Sequence, residues 1–279
     1  MDSIKRLAAI NDLSGASRCS LTVALPVISA LGIQCCVMPT AILSNHTGYN
    51  DFFFEDYTNQ MSEFSSKWEN MNLKFDCIYS GFLGSHKQIE TVLDFINKFK
   101  TKITKIVIDP VMGDNGQIYS TYSNQLCNDM KHLVAKADIV TPNITEACVL
   151  SGTQYSGETL PQEKLFEMAE KISRLGAKSV IITGHRSKSK VANFVYSNGV
   201  AKSYGSSIVP KYFSGTGDVF SSLISGLITL GYDVFAATEF AANFVHRATA
   251  MSYGLGLDIN DGICFEKLMG ELTALKGEK

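Results

Sequence analysis

Phe213-Ser214-Gly215-Thr216-Gly217-Asp218-Val219-Phe220 opens a long apolar stretch of helical period, Thr216–Leu230. Gly215 and Gly217 permit backbone geometry and close approach that a Cβ would block. At a helix N-terminus the amides of Thr216, Gly217 and Asp218 have no intrahelical acceptor, and the helix dipole favours an anion there. Such a nest can hold the charge that develops on a transferring phosphoryl group. Asp218, beside it, is placed to accept the proton of an attacking hydroxyl. The same letters also read as a plain loop with an N-cap, since Gly-x-Gly alone is a weak signal. Position in the chain decides between the two.

Upstream, apolar runs of strand length alternate with longer segments of helical period. Strands are expected at residues 7–10, 35–38, 77–79, 106–108, 139–140 and 180–182. Helices are expected at residues 21–31, 88–99, 124–134, 145–150 and 162–175. Strands that are apolar throughout and separated by helices predict an α/β fold with a mostly parallel sheet covered on both faces. Gly32 and Gly176 each follow a helix and precede a strand, as C-cap glycines do in right-handed β-α-β units. The aromatic run Phe52-Phe53-Phe54 reads as a short lid or an edge strand. Asn198-Gly199, between apolar segments 192–196 and 200–204, predicts a hairpin. Residues 205–214 read as loop, and helices over 216–230 and 234–253 close the chain. With no repeat, linker or low-complexity tract, residues 1–279 are expected to form one domain.

Composition narrows the function class. The chain is 45% hydrophobic and 19% charged, enough for a sizeable core and unlike a disordered protein. A net charge of −2 argues against a nucleic-acid partner, which selects for a basic surplus. No apolar run reaches the roughly 20 residues needed to span a bilayer, so no membrane partner is expected. Met1–Arg6 has neither the apolar core nor the cleavage site of a secretory signal. The expected compartment is the cytoplasm. Seven scattered cysteines without a Cys-x-x-Cys pair argue against a zinc or dithiol site and read as core fillers.

Three further segments carry chemistry. Asp109-Pro110-Val111-Met112-Gly113-Asp114 puts carboxylates just past a strand, at the sheet edge where open α/β folds bind ligands. Pro110 and Gly113 would also explain it as a simple turn. In Thr141-Pro142-Asn143-Ile144-Thr145-Glu146, Asn143 can cap a helix that carries Glu146 in its first turn. Thr183-Gly184 follows the strand at 180–182. Together with Gly215–Asp218, in this order along the whole chain, these blocks resemble the signatures of the ribokinase-like sugar and vitamin kinases. The resemblance implies a ribokinase-like fold with a small lid. It also implies ATP as phosphoryl donor and Asp218 as base, with the amides of Gly215, Thr216 and Gly217 forming an anion hole. Nucleotide contacts are implied for Asp114, Thr141, Asn143, Thr183, Gly184 and Thr216, and Mg²⁺ held by Asp109 and Glu146, two oxygen donors that suit it.

The N-terminal third points to the acceptor. Ser44-Asn45-His46-Thr47-Gly48-Tyr49 and Ser80-Gly81-Phe82-Leu83-Gly84-Ser85 resemble blocks of the pyridoxal kinases. That resemblance implies a vitamin B6 vitamer stacked on Phe82, with hydroxyls read by Thr47 and His46. His46 reads equally as a satisfied polar loop residue. Two departures stand out: Phe82 replaces the family's Tyr, and Asn11-Asp12-Leu13-Ser14-Gly15 replaces a Ser after the first strand. Asp12 could bond a ring hydroxyl or ring nitrogen, or serve only as a turn carboxylate. It also resembles the start of the hydroxymethylpyrimidine kinases, which keeps that substrate open. A rival of another class is a non-catalytic vitamin carrier, though such a protein would not need Asp218, Asp109 and Glu146 together. A dinucleotide-dependent oxidoreductase is excluded, because no Gly-x-Gly-x-x-Gly follows the first strand. Residues 206–214 hold no Cys, so no covalent thiohemiacetal with an aldehyde substrate is expected. The resemblance further implies a homodimer. A need for a monovalent cation such as K⁺ stays open.

Overall fold

The computed structural model describes residues 4–119 and 122–275; Met1–Ser3, part of the segment read above for a leader, lie outside them. The elements run β1 (Arg6–Ala16), α1 (Ser20–Ala30), β2 (Gln34–Asn45), β3 (Phe54–Asp56), α2 (Thr58–Asn70), β4 (Cys77–Ser80), α3 (His86–Phe99) and β5 (Lys105–Ile108). Next come β6 (Gly113–Asp114), β7 (Gln117–Ile118), α4 (Asn124–Val134), β8 (Ile139–Val140), α5 (Ile144–Ser151) and α6 (Gln162–Arg174). The chain continues with β9 (Ser179–Arg186), β10 (Lys190–Ser197), β11 (Val200–Ser207), α7 (Thr216–Leu230), α8 (Val234–Gly254) and the short α9 (Met269–Thr273).

A nine-stranded sheet has the order β11-β10-β9-β8-β5-β4-β1-β2-β3. The six strands from β9 to β2 pair in parallel, while β10, β11 and β3 are antiparallel additions at the edges. The expected α/β sandwich is therefore present. Alternation along each strand divides the core in two. Ala8, Ile10, Ile78, Ile106, Ile108, Val180 and Ile182 face one cluster, with α2 to α6. Leu7, Ala9, Cys77, Tyr79, Val107 and Ile181 face the other, with α1, α7 and α8. All seven cysteines are free, and only Cys35 and Cys36 are less than buried.

The chain leaves β1 for β2 on one side and returns to β4 on the other, which opens a crevice beyond the C-terminal end of β1. Here β1 and β2 outrun the rest of the sheet, to Ala16 and Asn45, with a register irregularity between Asn11 and Leu13. That extension was not expected, because Leu13–Ala16 carries no unbroken apolar run.

Other differences have local causes. Phe54 begins an edge strand on β2, so the aromatic run is the edge-strand alternative, with Phe52, Phe53 and Phe54 all exposed. Helix α2 was missed although Met61, Phe64, Ser65 and Trp68 have the spacing of a core-facing stripe; serines and charges between them hid it. The hairpin strand β11 extends to Ser207, so the connecting loop is shorter than expected. Residues 113–118 form a small separate hairpin.

Candidate active site

Ser80, Asp109 and Thr141 lie at or just past the C-terminal ends of β4, β5 and β8. Asn11 and Asp12 lie in β1 just beyond its pairing with β4, Thr183 lies within β9, and the N-terminus of α7 reaches this edge. Gly215 caps α7 at φ 75°, and a Cβ there would stand 1.9 Å from the carbonyl oxygen of Arg18. Glycine is required on both counts. No side chain caps this helix, so the amides of Thr216, Gly217 and Asp218 stay unclaimed by it. Gly217 has open space where a Cβ would project, so nothing of the chain itself demands glycine there. Close approach of a ligand would.

Asp218 keeps part of its surface open while its carboxyl is enclosed. Burial first, and the nearby charge of Asp12 second, push it up to about 7, against donation from the Ser20 amide and the Asn11 side chain. One turn along α7, the Ser221 hydroxyl donates to Asp109 Oδ2 at 2.9 Å and lies 2.9 Å from the Thr141 hydroxyl. Asp109 is buried and its carboxyl is raised by burial and by Asp218. Helix α7 thus presents one carboxylate, Asp218, and holds the neighbouring one, Asp109, through Ser221 on the same helix face.

Glu146 is also buried, and raised by burial and by Asp109. Its Oε1 accepts from the Met112 amide at 3.0 Å and its Oε2 from the Asn143 amide at 2.8 Å. Asn143 Oδ1 accepts from the Glu146 amide, closing a capping box on α5, while its Nδ2 donates to the Gly113 carbonyl at 2.8 Å. Glu146 thereby shapes the turn that follows Asp109. Among the described residues, no group of three or more His, Cys, Asp or Glu is arranged to hold a metal. Mg²⁺ needs only one or two carboxylates when phosphates and water complete its shell. Asp109 and Glu146 are two such buried carboxylates, and the charge of Asp109 raises the proton affinity of Glu146. Glu146, with both oxygens given to amides, fits a water-mediated role.

The remaining expected residues divide. Thr183 bridges to Asn143 beside the sheet edge, and Gly184 sits at φ 75° with open space before it. Asp114 Oδ2 accepts from the Tyr212 hydroxyl at 3.1 Å, which ties the small hairpin to the loop before α7. Phe82 is half-buried, edge-on to Tyr122, and Thr47 is exposed. His46 has both ring nitrogens engaged within the chain. Its Nδ1 accepts from the Gly48 amide at 3.0 Å, so Nε2 bears the proton and donates to the Asn260 carbonyl at 2.9 Å. Asp12 Oδ1 accepts from Ser20 Oγ at 2.5 Å and its Oδ2 from Ser14 Oγ at 2.8 Å, one bond on each carboxylate oxygen.

Residues 23–262 match the family model described as "Phosphomethylpyrimidine kinase". The chain belongs to this family. Among its relatives, the phosphomethylpyrimidine kinase family chain is 30% identical to the pyridoxine kinase of Bacillus subtilis, over 64% of this chain and 66% of the relative. It is 26% identical to a hydroxymethylpyrimidine/phosphomethylpyrimidine kinase of the same organism, over 66% of this chain and 67% of that one. A Bacteroides thetaiotaomicron protein, provisionally named a phosphomethylpyrimidine kinase and crystallised with pyridoxal, superposes with TM-score 0.92 at 36% identity, covering 99% of both chains. Pyridoxal kinase from Lactobacillus plantarum superposes with TM-score 0.90 at 26% identity, covering 98% of both.

Sequence reasoning missed three contributors to this family member's site. Ser221 hides in an apolar helix; Ser225 and Thr229 bond back to their own helix, whereas Ser221 reaches Asp109. Its spacing from Asp218 was the available signal. Asn11 stands next to Asp12, and its three partners are distant in sequence except one. Ser20 acts through its backbone amide, which no side-chain pattern reveals.

Proposed function

We propose that this kinase transfers the γ-phosphoryl group of ATP to the 5′-hydroxymethyl of a vitamin B6 vitamer. One observation carries the reading: a carboxyl held near neutrality, Asp218, stands over an uncapped helix mouth and within electrostatic reach of Asp109. Asp218 takes the hydroxyl proton as the alcohol oxygen bonds to the γ-phosphorus and the bond to ADP breaks. The amides of Thr216, Gly217 and Asp218 hold the charge on the phosphoryl oxygens. Asp109, with Glu146 acting through water, would hold Mg²⁺, which would supply charge neutralisation of the phosphates. Nucleotide lies along the sheet edge past Asp114, Thr141, Asn143, Thr183 and Gly184. The ring packs at Phe82 with Thr47 close by.

The solved relative with pyridoxal and the pyridoxine kinase relative support a B6 acceptor. The family description and the second Bacillus subtilis relative support hydroxymethylpyrimidine as the other reading. The test is ADP formation with pyridoxal, pyridoxamine, pyridoxine and hydroxymethylpyrimidine, each with the wild type and with Asp218→Asn. Turnover on a B6 vitamer should exceed that on hydroxymethylpyrimidine, and Asp218→Asn should lower it by roughly 10²–10⁴-fold while ATP still binds. An active Asp218→Asn enzyme removes the base. Among the described residues no helix is long and apolar enough to cross a membrane, and the proposed setting is the cytoplasm.

A further inference from the structure

Asn11 is 1% exposed, and its single amide group has three partners. Its Oδ1 accepts from the Asp12 amide at 3.0 Å and from the Phe82 amide at 2.8 Å. Two donors on one atom identify that atom as the oxygen, so Nδ2 is the end that faces Asp218 Oδ1, at 3.5 Å. That contact is long for a hydrogen bond, as catalytic contacts commonly are before substrate binds. The fit around the amide is close: a Cβ at Gly81 would stand 2.4 Å from Nδ2.

Asp12, the next residue, reaches the same carboxylate by another route. It holds the Ser20 hydroxyl at 2.5 Å, and the Ser20 backbone amide lies close enough to Asp218 to favour its ionised form. Ser20 sits at φ 52° and Ser17 at φ 84°, left-handed values that cost a non-glycine residue energy and persist only when the surroundings enforce them. In a regular strand, neighbours point to opposite faces and could not serve one target. The register irregularity falls between Asn11 and Leu13, where β1 runs past β4 while still paired with β2.

We infer that Asn11 and Asp12 are positioning residues for Asp218: Asn11 steers the carboxylate directly and Asp12 steers it through Ser20. The Asn11 amide also holds the backbone of Phe82, so the base and the ring platform share one anchor. A change at Asn11 therefore alters how the alcohol meets the base and leaves nucleotide binding alone. This inference rests on the reading of Asp218 as the base.

The discriminating variant is Asn11→Asp, which keeps an oxygen for the Asp12 and Phe82 amides and replaces the donor facing Asp218 with a carboxylate oxygen. Steady-state kinetics on the B6 vitamer with the highest turnover should show kcat down roughly 10–100-fold, in the range a misplaced catalytic group costs. KM for ATP should stay within about twofold, and the acid limb of kcat should move to higher pH, as a second carboxyl beside Asp218 requires. In an Asp218→Asn background the substitution should cost nothing further. Asp12→Asn should lower kcat with KM for the alcohol unchanged.

Full kcat in Asn11→Asp, with Asp218→Asn inactive, overturns the inference and leaves the kinase reading intact. An active Asp218→Asn enzyme overturns the base and the inference with it. A loss in Asn11→Asp that persists undiminished in the Asp218→Asn background shows a merely structural role and also overturns it. If Asp12→Asn keeps kcat but raises KM for the alcohol tenfold, Asp12 is a substrate contact and its half of the inference falls.

Discussion

Two helices deliver their N-termini to the same sheet edge, and they are finished in opposite ways. Helix α5 is closed by its own side chains: Asn143 and Glu146 exchange bonds with each other's amides, and Glu146 also takes the Met112 amide. Helix α7 begins at a left-handed glycine with no side-chain cap, under a carboxylate whose proton affinity is raised by burial. A filled cap stabilises the fold and leaves little for a ligand. An open one leaves donors ready for an anion at a cost in stability. The contrast separates a helix that builds the site from one that works in it.

The largest effect should come from closing the open mouth. Gly215→Ala places a methyl group against the Arg18 carbonyl in a left-handed backbone. Displacing the helix start should cut kcat by roughly 10²–10³-fold, the scale of a lost oxyanion donor, and lower the melting temperature as well. An Ala variant with normal turnover would break the contrast. On α5 the analogous glycine, Gly152 at its C-cap, has φ 66° but open space around it. Gly152→Ala should cost only about 1 kcal/mol in denaturant unfolding, with activity kept.

Next in size is Glu146→Ala. It strands the buried amides of Met112 and Asn143, each worth about 1–3 kcal/mol when unsatisfied. Thermal unfolding should shift by several degrees, and more than for Asn143→Ala, where a lost cap costs about 1 kcal/mol. Equal shifts would mean that Glu146 matters only as half of the box.

The smallest predicted effect concerns pH. Asp218 binds its proton with a folded-state pKa of about 7, against 3.8 for an ordinary aspartate. The native chain therefore holds an extra proton between those values. Its burial penalty is fully felt above about pH 7 and is relieved as the pH falls towards 3.8. Asp218→Asn, inactive, should thus melt higher than wild type at pH 8 and no higher near pH 4. The wild-type kcat should fall as the pH drops through about 7, because a protonated Asp218 cannot accept the hydroxyl proton. A kcat that is flat between pH 6 and 8 would place the ionisation elsewhere.

Much of the architecture was legible because strand and helix periods differ and parallel strands are apolar on both faces. Strand cores such as Leu7–Ile10 and Ile106–Ile108 show that pattern plainly. Helix α2 and the overhanging ends of β1 and β2 did not, since half-exposed elements carry polar residues whose faces only packing defines. The polar residues of the site were visible as letters, but their partners were not. The intramolecular partners of His46 and Asp12, the Gly48 amide and Asn260 carbonyl for one and the Ser14 and Ser20 hydroxyls for the other, could not be read from the letters.

The order of residues determined the α/β alternation, the glycine at 215 and the carboxylates at 109, 146 and 218, because propensity and backbone freedom act locally. Tertiary structure alone decided which of these groups feel one another. Desolvation and Coulomb energy depend on distance and on water, and the groups that meet at Asp218 come from β1, the start of α1 and α7, about two hundred residues apart along the chain.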